Sequence, residues 1–392
     1  MSAPVGTVFD ALVGQDDAVA VLAEAVAAAP SDEAGGERGF TAAWLFTGPP
    51  GSGRSVAARA FAAALQCPRG GCGTCASCHT TLAGTHADVA LVTPAGLSIG
   101  VDDARDIVRR ASLAPATGRW QVVVVEDADR MTEAAANALL KVIEEPPSRA
   151  VFVLCVPAAD DLPPTIRSRC RLVRLRAPSA DAVAAELVRR DGVDPAMAAF
   201  AARAAQGHVG RARRLATDDG ARRQRRDVLA VPLSVGSVGA CFAAADALVA
   251  ASEEESARLT GPLDAAETTA LKEALGEGGT GGKLRVRASA GAVKDLERRH
   301  KSRETRHQRD MLDRALTDLA AFYRDVLVTQ TGAGVALVNV DVAASVERVA
   351  RSSPPEQTLR RIEAVLACRE RIAANVAPLL AVEEMTLALH GE

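Results

Sequence analysis

Apolar and polar positions fall into two kinds of pattern along this chain. Through residue 177, short apolar runs at 43–47, 89–93, 121–125 and 151–156 have strand length and are rich in valine. Between and before them, residues 19–29, 56–65, 101–114 and 132–145 have helical composition, and 30–39 reads as a polar loop. Asp102 and Asp103 open one of these helices, where carboxylates favour the helix dipole. Thr132 can cap another, and Pro146-Pro147 ends it. Continuous valine-rich strands alternating with helices predict an α/β core, a mostly parallel sheet with helices on both faces.

Past residue 178 the pattern becomes helical. Segments 180–190, 195–205 and 211–217, punctuated by Gly207 and Gly210, suggest a small helical domain over 178–230. Residues 232–239 read as a linker, and 241 onward is helical again, with a flexible glycine-rich insertion at 276–282. A densely charged stretch at 294–310 leads into one apolar face made by Leu312, Leu316, Leu319, Tyr323 and Val326. Further helices at 359–376 and 382–389 complete an all-helical domain over 231–392. Its apolar stripes need partners within the chain or across an interface.

Composition narrows the function classes. The 392 residues suffice for two or three domains; 48% are hydrophobic and 24% charged, a globular profile. A net charge of −3 gives no bulk attraction to nucleic acid. Residues 1–7 lack the basic and apolar regions of a secretory signal, and no apolar stretch is long enough to span a membrane. Four of the eight cysteines crowd into 67–78, which favours metal binding in a reducing compartment, so a cytoplasmic location is expected.

The sharpest chemical signal is Gly48-Pro49-Pro50-Gly51-Ser52-Gly53-Arg54-Ser55, between a strand and a helix. It has the layout of a phosphate-binding loop, whose backbone N–H groups turn toward phosphate at a helix N-terminus. Arg54 stands where lysine is expected, and a planar guanidinium does not place charge as an ammonium does. Ser55 is within sequence reach of a magnesium role. Glu126-Asp127 follows the valine strand but reverses the usual Asp-Glu order. Glu126 is a methylene too long to support magnesium as Asp would, and Asp127 a methylene too short to activate water. ATP and magnesium binding at this degenerate site stays open; the plain alternative is a loop that keeps its shape and binds nothing.

Cys67, Cys72, Cys75 and Cys78 offer four soft ligands within twelve residues, and Gly70, Gly71 and Gly73 allow tight turns between them. That set suits a closed, structural zinc site. An iron–sulfur cluster and free buried thiols are the alternatives. His79 and His86 are nearby but unnecessary as ligands, and the other four cysteines read as packing residues. Arg167, Arg169 and Arg171 follow Pro163-Pro164; taken alone they are solvated surface residues. Beside a defective nucleotide site, an arginine there can instead stabilise charge on a neighbour's ATP.

Taken in order, these pieces resemble the delta-prime subunits of the bacterial DNA polymerase III clamp loader, in the AAA+ clamp-loader family. The resemblance rests on Val13-Gly14-Gln15, the phosphate loop, the four-cysteine module, Asn137-Ala138-Leu139-Leu140-Lys141 with Glu144-Glu145-Pro146-Pro147, and Thr165-Ile166 with Ser168-Arg169-Cys170. It covers residues 9–217 well and the remainder more weakly. It implies an AAA+ core over 1–177, a helical lid over 178–230 and a helical collar over 231–392. It also implies that Arg169 is the finger acting in trans, with Ser168 and Cys170 positioning it. The implied function is a non-hydrolysing stator in a five-subunit assembly. Gamma/tau motor subunits bind ATP, a delta subunit opens the sliding clamp, and the complex loads it on primer–template DNA at the replisome.

Within the family, Arg54 and Glu126-Asp127 favour the stator over a motor subunit. So does Cys155-Val156-Pro157, where a polar sensor residue is expected. The second sensor arginine would fall near Gly210, beside Arg211, which leaves that position ambiguous. Val13-Gly14-Gln15 would lie near a nucleotide base in a binding-competent relative. The competing functions are an active gamma/tau-like motor, another DNA-stimulated AAA+ ATPase, and a nucleic-acid-binding zinc module. The last has few local basic residues and no aromatic platform to support it.

Overall fold

The computed structural model describes residues 7–29, 40–94, 96–275 and 283–391. The loop expected at 30–39 and the insertion at 276–282 lie outside the described residues. Contacts divide the chain into two units, one running to Thr217 and the other starting at Asp218. That division falls upstream of the boundary expected at 230.

The first unit is built on five strands, β1 (Ala43–Thr47), β2 (Val89–Val92), β3 (Gln121–Val125), β4 (Ala150–Val156) and β5 (Arg171–Arg174). They form one parallel sheet in the order β2-β3-β4-β1-β5. Every residue of β1, β3 and β4 is buried, which is why these strands read as continuous apolar runs. Successive side chains alternate between two cores. Trp44, Phe46, Val122, Val124, Val151 and Val153 share one core with Phe61. Leu45, Val123, Val125, Phe152 and Leu154 share the other with Ile107 and Leu139. β5 was not expected from the sequence. It has only Leu172 and Val173 between two arginines, and it gains strand form by pairing with the edge of β1.

The first unit's helices are α1 (Asp16–Ala27), α2 (Arg54–Gln66), α3 (Ala76–Leu82), α4 (Val101–Ala111), α5 (Glu133–Glu144), α6 (Pro164–Arg167), α7 (Ala180–Asp191), α8 (Pro195–Ala205) and α9 (Val209–Thr217). Thr132 caps α5 as expected, its hydroxyl accepting the Ala135 N–H at 3.2 Å. Asp88, just before β2, accepts the backbone N–H groups of Ala116 (2.6 Å), Thr117 (2.8 Å) and Gly118 (2.5 Å), and pins the turn that leads into β3.

The second unit is helical: α10 (Asp219–Ser234), α11 (Val238–Leu275), α12 (Lys283–Thr331), α13 (Ala343–Ser352), α14 (Pro355–Ala373) and α15 (Pro378–His390). The linker expected at 232–239 is mostly helix. α10 carries Pro232 in its last turn, and only residues 235–237 separate it from α11. Burial of Val231 and Val235 in the helical core holds that turn together. Leu312, Leu316, Leu319, Tyr323 and Val326 are all buried there, so the expected stripe finds its partners inside the chain. α11 and α12 run antiparallel: Glu253 meets Gln308, and further along Glu267 meets His300 and Arg303. Among the described residues, no helix is long and apolar enough to cross a membrane.

Candidate functional site

Gly48 follows β1 and Glu126 follows β3, so the two motifs lie at the carboxyl ends of parallel strands, where such sheets bind ligands. The loop's cation is already engaged. Arg54 Nη1 donates to the Gly48 carbonyl oxygen at 2.7 Å, folding the side chain back over its own loop. Gly51 has φ of 87°, and a Cβ there would sit 2.6 Å from Cβ of His208. The turn between α8 and α9 therefore presses against the loop. Ser52 Oγ is buried without a hydrogen-bond partner. Gln15 is buried beneath, donating to the carbonyl oxygens of Ser52 (3.2 Å) and Arg176 (2.6 Å) and accepting the Arg176 N–H (3.1 Å). Its amide ties the loop to the segment entering α7, so in this chain it holds the fold.

The acidic pair is engaged as well. Glu126 Oε1 lies 3.2 Å from Nη2 of Arg59 on α2, and Oε2 accepts from the Thr93 hydroxyl at 3.4 Å. Asp127 adopts a left-handed backbone with φ of 49° and lies 3.8 Å from Nε of Arg130. Burial, with the charge of Asp127 adding to it, raises the pKa of Asp129, against Arg130 and Arg54. Burial likewise pushes the Cys155 thiol up to about 12, with Glu126 reinforcing it. In this conformation the residues do not fit an ATP–magnesium centre. The cation points at its own backbone, the carboxylate at the first acidic position is held by an arginine, and His208 packs closely against Gly51 of the loop. Arg59, Asp129 and His208 were not singled out from the sequence: Arg59 and Asp129 lie close after the two motifs but show their partners only in the fold, and His208 lies far along the chain.

Arg169 lies in the short loop between α6 and β5. Its Nη1 donates to the Thr165 carbonyl oxygen (2.8 Å) and the Ser168 hydroxyl (3.2 Å), and its Nη2 lies 2.6 Å from Oε1 of Glu144. Its side chain is 39% exposed. The flanking arginines differ. Arg167 pairs with Asp160, and Arg171 lies over the Trp44 ring, 5.2 Å from its centroid.

The four cysteines do come together: Cys67, Cys72, Cys75 and Cys78 place their sulfurs within 4.8 Å of one another. Sulfur–sulfur distances of 3.6 Å (Cys67–Cys72) and 3.7 Å (Cys67–Cys75) are far too long for disulfides. They match the edge of a tetrahedron with metal–sulfur bonds of about 2.3 Å, which is about 3.8 Å. Backbone N–H groups of Arg69 and Cys72 point at Cys67 Sγ, at 3.3 and 3.4 Å, as a thiolate requires. Burial opposes ionisation of Cys67, but hydrogen bonds from Cys72, Gly71 and Arg69 prevail and lower its pKa. The Thr74 hydroxyl and N–H bring Cys72 down to about 5, while burial raises Cys78. Gly71, with φ of 103°, closes the turn where a Cβ would strike Val8. The donor set and spacing fit a structural zinc ion. A second cluster, Asp264, Glu267 and His300, also lies within 4.8 Å. Arg303 already binds both of its carboxylates.

Comparison with known proteins adds to this geometry. The family described as DNA polymerase III, delta subunit matches residues 34–179, and that described as DNA polymerase III, delta subunit, C terminal matches 306–390. A DNA polymerase III subunit gamma/tau of Mycobacterium tuberculosis is 36% identical over 166 residues, covering 41% of this chain and 27% of that protein. A DNA polymerase III subunit delta' of Pseudomonas aeruginosa is 40% identical over 142 residues, covering 35% of this chain and 43% of that protein. The chain thus spans less than half the length of these curated relatives. A solved structure of a DNA polymerase III gamma subunit-related protein from Thermotoga maritima aligns over 89% of this chain and 94% of its own. It does so at 18% identity and a TM-score of 0.37.

Proposed function

Since the chain belongs to the AAA+ clamp-loader family of DNA polymerase III subunits, we propose that it serves as a stator of the delta-prime kind. In this role it presents Arg169 to ATP bound by a neighbouring motor subunit. The observation that carries the reading is the state of its own loop, where Arg54 bonds Gly48 instead of standing free for phosphate. A guanidinium delivered in trans neutralises charge that develops on the transferring phosphoryl group and needs no cofactor of its own. Arg169 suits the task by its place on a short loop, half-exposed, with Ser168 and Thr165 directing one face of the fork. Zinc held by Cys67, Cys72, Cys75 and Cys78 would brace the module beyond α2 and do no chemistry. The partners are gamma/tau-like motor subunits and a delta subunit, with the sliding clamp and primed DNA engaged through the assembly.

The test is ATP hydrolysis by motor subunits assembled with delta subunit, clamp, primed DNA and this chain. Arg169→Ala is expected to lower turnover at the site it serves by about tenfold or more, with assembly intact. Unchanged turnover would remove the finger role. A second reading, an active motor subunit, is favoured by the similarity to gamma/tau subunits. It requires turnover by the isolated chain that disappears in Ser55→Ala.

A further inference from the structure

Arg169 is not idle in the isolated chain. Its Nη2 lies 2.6 Å from Oε1 of Glu144, the last residue of α5, while Nη1 is taken by Thr165 and Ser168. Both terminal nitrogens of the guanidinium are therefore in use, and these form the fork that recognises phosphate oxygens in bidentate fashion. Resting on the finger reading above, we propose that Glu144 is a positioning residue that latches the finger. Its carboxylate competes for the terminal nitrogen through which the fork would meet a neighbour's phosphate.

The physical argument is competition between two anions for one donor. A carboxylate 2.6 Å from Nη2 takes one of that nitrogen's two N–H groups and holds that side of the fork toward Glu144. The two negative groups also repel each other when brought to the same cation. Release of the latch therefore frees that side of the fork for phosphate. The pair is built to release cheaply, since Glu144 and Arg169 are 44% and 39% exposed, and exposed ion pairs contribute little. The contacts from Nη1 to Thr165 and Ser168 involve neutral acceptors. They can persist and keep the side chain aimed while Nη2 changes partner. Glu145, adjacent in the chain, is exposed and serves as the internal control.

The experiment uses the assembled complex with clamp and primed DNA and measures turnover at saturating ATP. Glu144→Gln keeps size and removes the competing charge; it is expected to raise turnover about two- to fivefold. Glu144→Asp, which keeps the anion, stays near wild type, as does Glu145→Gln. The double variant Glu144→Gln/Arg169→Ala is as slow as Arg169→Ala alone. If Arg169→Ala slows turnover but Glu144→Gln lowers it or leaves it unchanged, the latch is wrong and the finger stands. If Arg169→Ala has no effect, the finger falls and the latch with it.

Discussion

Single side chains decide the state of this chain's nucleotide-like site, and they do so by pairing with its own groups. Arg54 closes on Gly48 and Glu126 on Arg59, so each altered residue has found an internal partner. A comparable self-satisfaction stabilises the sheet at Asp88, which is 2% exposed. Burial works against its charge, but backbone N–H groups of Ala116, Thr117 and Gly118 prevail and hold its pKa below the ordinary value. A depressed carboxyl pKa contributes stability that is present above the unfolded value of about 3.9 and lost as pH falls through the lower folded value. Asp88→Ala is expected to cost about 3 kcal/mol at neutral pH. In urea unfolding, that difference from wild type should shrink below about pH 4. A difference independent of pH would contradict the assignment.

At the scale of elements, α2, the cysteine turns and α3 act as one piece. α2 buries Phe61 against Trp44, with ring centroids 4.9 Å apart, and delivers Cys67 at its C-terminus. α3 is capped by Cys75, whose sulfur receives the Cys78 N–H. Metal analysis of the purified protein should return about one zinc per chain. Chelation or Cys67→Ser should release it and lower the melting temperature. Full stability without metal would favour plain buried thiols.

At the scale of the whole molecule, the division at Thr217 assigns α10 to the helical unit. Arg225, on α10 and 4% exposed, bonds Asp341 (2.8 Å) and Asn339 (2.5 Å) and lies 3.6 Å from Asp318. Val228 and Leu229 from the same helix enter the core with Leu312, Phe322 and Val365. A fragment of residues 218–392 should fold and melt cooperatively. A fragment of 231–392 leaves Asp318 and Asp341 without that cation and is expected to be about 3–5 kcal/mol less stable. Equal melting of the two would favour the boundary at 230.

What the sequence determined by itself is whatever rests on local covalent pattern. The spans of β1, β3 and α8 were legible because runs of apolar residues, or a proline start with helical spacing, specify them over a few residues. The four-cysteine cluster was legible because its members lie within twelve residues, and the family resemblance because its motifs come in a fixed order. The tertiary structure alone decided what depends on residues distant in the chain. β5 exists because β1 offers it an edge. His208 reaches Gly51, and Gln15 reaches Arg176, only once the chain has folded back on itself. The pairing of Arg169 with Glu144 has the same origin, since sequence spacing carries no information about which charges the fold will bring together.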